Sequence, residues 1–283
     1  MKQLKETIQI VFSDCIHTCF RKPYFLAVVF LLPWYSVKSQ DLEVGLTVGG
    51  TYYLGDLNPG GHFLNTDISY GVLARYTLDT RWAVKISGMR GKIKGDAASG
   101  TFLPDRGLSF TNSMTDISGV VEFNFMPYFT GSRANRISPY IYGGLSVFFF
   151  NPENNGVSLR SVGTEGQNIG YKGRKPYGSV SVSIPFGLGA KISIANRLGL
   201  QVYWEMHKTF NDYLDDVSTT YYLDGRSIAP GDQAGILSDP TLNHEPGMQR
   251  GNASNNDWYA FFGVAVTYKF ALLTSKRCRD LNY

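Results

Sequence analysis

Between Val180 and Phe210 the residues alternate in character with a period of two. Val180, Val182, Ile184, Phe186, Leu188, Ala190 and Ile192, then Leu198, Leu200, Val202, Trp204 and Met206, form one apolar set. The intervening positions are small, polar or charged: Ser181, Ser183, Gly187, Gly189, Lys191, Ser193, Gly199, Gln201, Tyr203, Glu205 and His207. A period of two places the two sets on opposite faces of extended strands. Ala195, Asn196 and Arg197 supply the reversal, so the unit is a long β-hairpin. Strands of a soluble sandwich typically run about 5–6 residues. Strands of roughly 9–11 residues, apolar outside and polar inside, are what a membrane-spanning barrel requires.

The rest of the chain repeats this pattern. Strand one starts at Leu42, with Leu42, Val44, Leu46 and Val48 opposite Glu43, Gly45 and Thr47. Strand two runs from Asp67 to Leu78 and strand three from Trp82 to Ser87, joined by a tight turn at Asp79-Thr80. Strand three then fades into a polar segment that ends at Asp116. Strand four carries Ile117, Gly119, Val121, Phe123 and Phe125 outward, and strand five spans Pro139–Phe150. The opening hairpin supplies strands six and seven, and Asp257–Phe270 is strand eight. Connections alternate long and short along the chain. An even strand count with that alternation predicts an all-β fold: an eight-stranded antiparallel transmembrane β-barrel with short periplasmic turns and long extracellular loops. Closure also removes exposed sheet edges. Tyr52, Tyr53, Trp82, Tyr128, Trp204, Trp258, Tyr259 and Tyr268 lie near strand ends, where interfacial aromatic girdles are expected.

Tyr24 to Tyr35 is apolar, follows Arg21 and Lys22, and precedes Ser36-Val37-Lys38-Ser39. This is the order of a secretory signal peptide, so residues 1–39 are read as one with a long amino-terminal extension, 40–270 as the barrel and 271–283 as a periplasmic tail. Removing 1–39 leaves 22 basic and 21 acidic residues. Such a balance offers nothing to attract nucleic acid. Cys278 alone remains of the cysteines, so no intramolecular disulfide forms in the mature chain.

The inward positions include Glu43, Arg75, Lys85, Glu122, Lys191, Glu205 and Lys269. Eight strands enclose a lumen that side chains can fill. Charges held there must pair or be hydrated, so these seven are expected to form an interior ion network, with Glu43 and Lys269 neighbours across the closing seam. An ion or proton path is the functional alternative. Catalytic patterns such as HExxH, GxSxG and CxxC are absent. His207, at a strand end, with serines of nearby loops is the only nucleophile–base pair that a rim-active enzyme would have. Asp212, Asp215 and Asp216 lack the Asp-x-Asn-x-Asp-Gly spacing of a calcium loop and are expected in a solvated or partner-facing loop. No metal, cofactor or catalytic residue is assigned.

Three segments carry a resemblance: GGTYYLGDLNP (Gly49–Pro59), SPYIYGGLSVFFFNP (Ser138–Pro152) and the run from Gly187 to Tyr222, of which TFNDYLDDVSTTYY (Thr209–Tyr222) is the most specific part. Together they resemble the PorG-like outer-membrane barrels of the type IX secretion system. The resemblance implies a non-enzymatic outer-membrane protein surrounded by lipid and associated with the periplasmic lipoprotein ring of that machine. If so, contact comes from the short-turn side, and Arg133, Arg136 and Arg197 are the expected contacts, together with a basic tail containing Lys276, Arg277 and Arg279. The alternative is a small OmpA- or OmpW-like barrel that binds or passes a ligand or ion. A rim-active lipid hydrolase or acyltransferase is a third possibility.

Overall fold

The computed structural model describes residues 41–99 and 104–271; the expected signal peptide and basic tail lie outside them. Eight long antiparallel strands carry the fold: β1 (Asp41–Leu54), β2 (Asp67–Thr77), β3 (Trp82–Asp96), β4 (Ser109–Asn124), β5 (Ile137–Phe149), β6 (Val180–Ser193), β7 (Leu198–Thr209) and β8 (Trp258–Ala271). Each pairs with its neighbours in sequence, and β1 pairs with β8 from Asp41↔Ala271 to Leu54↔Trp258. The sheet is therefore closed into a barrel. Turns at 78–81 and 194–197 and a connection at 125–136 lie at one end; the other four connections, of which 150–179 and 210–257 are the longest, lie at the other.

The outward face is apolar on every strand. Leu46 is 70% exposed and Leu145 72%, and Val72, Ile86, Ile117, Val182, Leu188, Val202 and Val266 stand out around the wall in the same way. Soluble monomers rarely expose apolar patches of more than a few hundred Å². A belt of this kind around a closed barrel is matched to hydrocarbon, because closure satisfies every strand's backbone groups internally.

Two strands run beyond the belt. β3 continues to Asp96 instead of ending near Ser87, and β4 begins at Ser109 instead of Ile117, paired throughout from Trp82↔Phe123 to Asp96↔Ser109. In the extension the faces exchange character: Met89, Ile93, Phe110 and Met114 are buried inside while Arg90, Lys92 and Lys94 are exposed. Above the lipid the outer face meets water and the inner face meets a core, so the apolar set moves to the inside and the sequence period loses its sign.

That inner face belongs to an apolar core under the long loops. Tyr53, Leu57, Met89, Ile93, Phe110, Met114, Phe148, Leu159, Leu214, Val217, Tyr259 and Phe261 are buried in one cluster. Three expected girdle residues thus have another place: Tyr53 and Tyr259 are in this core, and Tyr128 is buried at the short-turn end. Tyr52 does face outward, but it is fully buried, since the β1–β2 loop folds back to bring Phe63 to 4.9 Å of its ring. Trp204 Nε1 donates to the Tyr52 hydroxyl at 2.9 Å.

Candidate functional site

Strand parity aims six ionised side chains at one another in the half of the barrel nearer the short turns. Arg75 on β2 bridges Glu43 on β1 and Glu122 on β4, each at 2.7 Å. Lys191 on β6 donates to Glu122 at 2.6 Å and to Asn124 at 2.9 Å. Lys85 on β3 lies 3.8 Å from Glu122 and 3.6 Å from Glu205, and its ammonium sits 4.3 Å from the Tyr142 ring centroid. All six are at most 4% exposed. Three cations face three anions, which is the condition for keeping ions at this depth.

Lys269 is not part of this network. It is the direct register partner of Glu43, yet its ammonium pairs with Asp41 at 3.4 Å at the part-exposed rim. Glu43 instead accepts from Arg75 and from the Thr130 hydroxyl at 2.5 Å. Alternation gives the face of a residue but not the depth at which a long side chain ends, and the Lys269 ammonium reaches the part-exposed rim. Gln201, which accepts from Arg75, and Asn124 complete the network; both lie at inward parity and were legible as such. Thr130 and Tyr128 were not, because they belong to an irregular connection that tucks into the barrel mouth. Gly131 N donates to Ser193 Oγ at 2.8 Å and Tyr128 N to the Thr80 carbonyl at 3.0 Å, fixing this plug.

Further along the lumen His207 is fully buried, where an accessible rim position was expected. Its Nε2 lies 2.9 Å from Glu205 Oε1, and its Nδ1 lies 3.0 Å from Ser183 Oγ and 3.7 Å from Asp116 Oδ2. The serines it meets, Ser183 and Ser146, come from β6 and β5, not from loops. The imidazole stacks on Tyr259 at 4.3 Å, and that phenol donates to Asp116 at 2.8 Å. A serine, a histidine and a carboxylate are in contact here, but they are closed in by aromatic rings. Hydrolysis would need a carbonyl and a water at the same point.

The long loops form a cap with a polar core of its own. Asp215 and Asp216 are buried, not solvated. The Tyr53 hydroxyl lies 2.5 Å from Asp215 Oδ2 and 3.0 Å from Asp257 Oδ1, and Leu214 N donates to Asp257 at 2.9 Å. Burial pushes Asp215 and Asp257 well above the usual carboxylate range, with repulsion from Asp56 adding for Asp215 and from Asp215 for Asp257. Asp216 accepts from Tyr177 at 2.6 Å and from Thr164, and burial pushes it up to about 6 even though Arg250 opposes the shift. Desolvation also pushes the part-buried Asp212 up to about 7. Arg250 joins Glu165 at 3.2 Å, and Glu165 accepts from the backbone of Ser218 and Thr219. The aspartates of this run hold the cap together across segments far apart in sequence.

At the other end Arg133, Arg136 and Arg197 are exposed. Arg133 and Arg136 line one cleft of about 420 Å³ with Met126, Pro127, Ala134, Asn135 and Ile137. Met126 and Ile137 are more than half exposed there, an apolar floor beside two guanidinium groups. Arg197 lies apart from that cleft and donates to the Tyr268 hydroxyl at 3.1 Å.

A family model described as a domain of unknown function, DUF6089, matches residues 22–222. Among curated proteins, none matches the chain. Among solved structures the chain is similar to neisserial surface protein A, at 11% identity and a TM-score of 0.44, over 81% of this chain and 97% of that one. It is also similar to Ail, the attachment invasion locus protein of Yersinia pestis, at 8% identity and a TM-score of 0.41, over 82% and 99%. The outer membrane protein OprG of Pseudomonas aeruginosa is similar at 11% identity and a TM-score of 0.39, over 82% and 97%. These likenesses concern the fold alone.

Proposed function

The chain belongs to the DUF6089 family, and we propose that it is a non-enzymatic outer-membrane component of the type IX protein secretion machinery, which contacts the periplasmic lipoprotein ring through its short-turn end. The fold is of the outer-membrane barrel type, and lipid is its first partner. The secretion role rests on the resemblance carried by Gly49–Pro59, Ser138–Pro152 and Thr209–Tyr222. One observation supports it most: inward side chains are buried along the length of the lumen, among the described residues. Ion pairs occupy one half, an aromatic core the other, Thr130 and Tyr128 plug one mouth, and a folded cap covers the other. A barrel filled in this way favours function through its outer surfaces over passage of a ligand. The same filling encloses His207, Ser183 and Glu205 and speaks against an enzyme.

The long-loop side faces outward and the short-turn side faces the periplasm, as in bacterial outer-membrane barrels generally. The cleft between Arg133 and Arg136 combines two fixed positive charges with an apolar floor, which suits a carboxylate flanked by apolar side chains on a partner. The run Asp212–Asp216 acts inside the cap and takes no part in ring binding. Exposed ion pairs contribute only about 0–1 kcal/mol each, so the test reverses three charges together. In Arg133→Glu/Arg136→Glu/Arg197→Glu, with the barrel inserted at normal levels, retention of the ring lipoproteins and secretion should both fall. If both persist at the parental level, the short-turn face is not the ring contact.

A further inference from the structure

The extension of β3 beyond the apolar belt places three cations in a column on its outer face. Arg90, Lys92 and Lys94 alternate with the inward Met89, Gly91, Ile93 and Gly95, and all three are exposed. At about 3.4 Å of rise per residue, successive members stand roughly 7 Å apart along the strand. Lys94 is tied to Asp67 on β2 at 2.6 Å. Lys92 acts on the same Asp67 at longer range, and neither it nor Arg90 makes a direct ion pair among the described residues. Two neighbouring positive charges therefore project at the level where the wall passes from apolar to polar.

Directly below them the wall is notched. Gly88 is outward on β3, paired with Val72 on β2 and Ile117 on β4. A Cβ at Gly88 would come no nearer than 4.0 Å to any other atom, the Val72 methyl. The resulting hollow, about 440 Å³, is lined by Leu46, Tyr70, Val72, Gly88 and Met89, with Arg90 on its upper lip. Apolar space facing lipid and opening under exposed cations has the form of a lipid site: acyl chain in the hollow, headgroup anion on the guanidinium.

We propose that this face of β2–β4 binds a lipid of the long-loop-side leaflet whose headgroup carries more than one phosphate. Two cations about 7 Å apart favour such a headgroup over a single phosphodiester, because each phosphate then meets its own cation. The site is independent of the ring contact, which lies at the opposite end of the barrel.

The experiment uses the full mature barrel in mild detergent micelles. Bisphosphorylated lipid A is titrated in and the bound lipid counted by native mass spectrometry. Arg90→Gln/Lys92→Gln should weaken retention at least tenfold. Gly88→Leu, whose Cβ would meet nothing nearer than 4.0 Å, should weaken it severalfold. Gly119→Leu, on the neighbouring strand in equally open space, and Lys208→Gln, a cation on the outer face of β7, should leave it unchanged. Phosphatidylglycerol and dephosphorylated lipid A should be retained at least tenfold less well by the parent protein. Heat-shifted gel mobility verifies that each variant is a folded barrel. The proposal fails if the double variant binds like the parent, if Lys208→Gln is as damaging as the double variant, or if either comparison lipid is retained equally.

Discussion

Glu122 is the carboxylate on which the barrel interior depends, and Glu122→Gln removes its charge while keeping its shape. It takes two short ion pairs, with Arg75 at 2.7 Å and Lys191 at 2.6 Å, and a looser one with Lys85 at 3.8 Å. Without it, Arg75, Lys85 and Lys191 face only Glu43 and Glu205. Glu205 is already engaged by His207, and Lys191 retains only neutral partners, Asn124 and the face of the Tyr140 ring. Removing one member of a buried ion pair costs about 3–5 kcal/mol, mainly because a charge is left uncompensated. Glu122 serves three cations, so the upper part of that range is expected, against less than about 0.5 kcal/mol for the outward Val121→Ile. Equilibrium unfolding in urea against lipid vesicles, followed by tryptophan fluorescence, measures the difference. Adding Lys191→Met to Glu122→Gln restores two cations against two anions and should recover part of the loss. A Glu122→Gln barrel within about 1 kcal/mol of the parent, or no recovery in the double variant, would refute the ion-balance reasoning.

Depth separates the two lysines read as inward: Lys191→Gln should cost several-fold more stability than Lys269→Gln, because the rim pair with Asp41 is part-exposed and such pairs contribute about 0–1 kcal/mol. Urea midpoints of the two variants test this. In the cap, carboxyl groups raised in the folded state bind protons that the unfolded chain has released. Their contribution to cap stability is therefore full below about pH 4 and is lost as pH rises through about 6 for Asp216 and about 7 for Asp212. For the buried Asp216, a shift from 3.8 to about 6 corresponds to a loss of about 3 kcal/mol at 1.36 kcal/mol per pH unit; the part-exposed Asp212 contributes less because solvent screens it. Amide exchange across 211–257 should accelerate between pH 4 and pH 7, and Asp216→Asn should flatten that dependence.

The barrel was legible in the sequence wherever lipid outside and polar groups inside gave alternate residues opposite characters, as in Val180–Phe210. It was illegible in Met89–Asp96 and Ser109–Asp116, where water outside and the cap core inside reverse that contrast. Glu43, Arg75, Lys85, Glu122, Lys191 and Glu205 could be placed inward by parity alone. The rim position of Lys269 could not, since parity carries no depth. Asp215 and Asp216 looked solvated because their partners, Tyr53, Tyr177 and Arg250, come from distant segments. The plug of Tyr128 and Thr130 has no periodicity to read, and the burial of His207 depends on the rings of Tyr259 and Phe261 on β8 that pack against it.

The central claim is that a filled barrel acts through its short-turn face. Photocrosslinking in native membranes tests it most directly, with a crosslinking residue placed singly at Arg133 and Arg136, and at Lys172 in the opposite loops as the comparison. Adducts with the periplasmic ring lipoproteins from positions 133 and 136 but not from 172 are the expected result. Ring adducts from Lys172 alone, with positions 133 and 136 silent in an intact barrel, would contradict it.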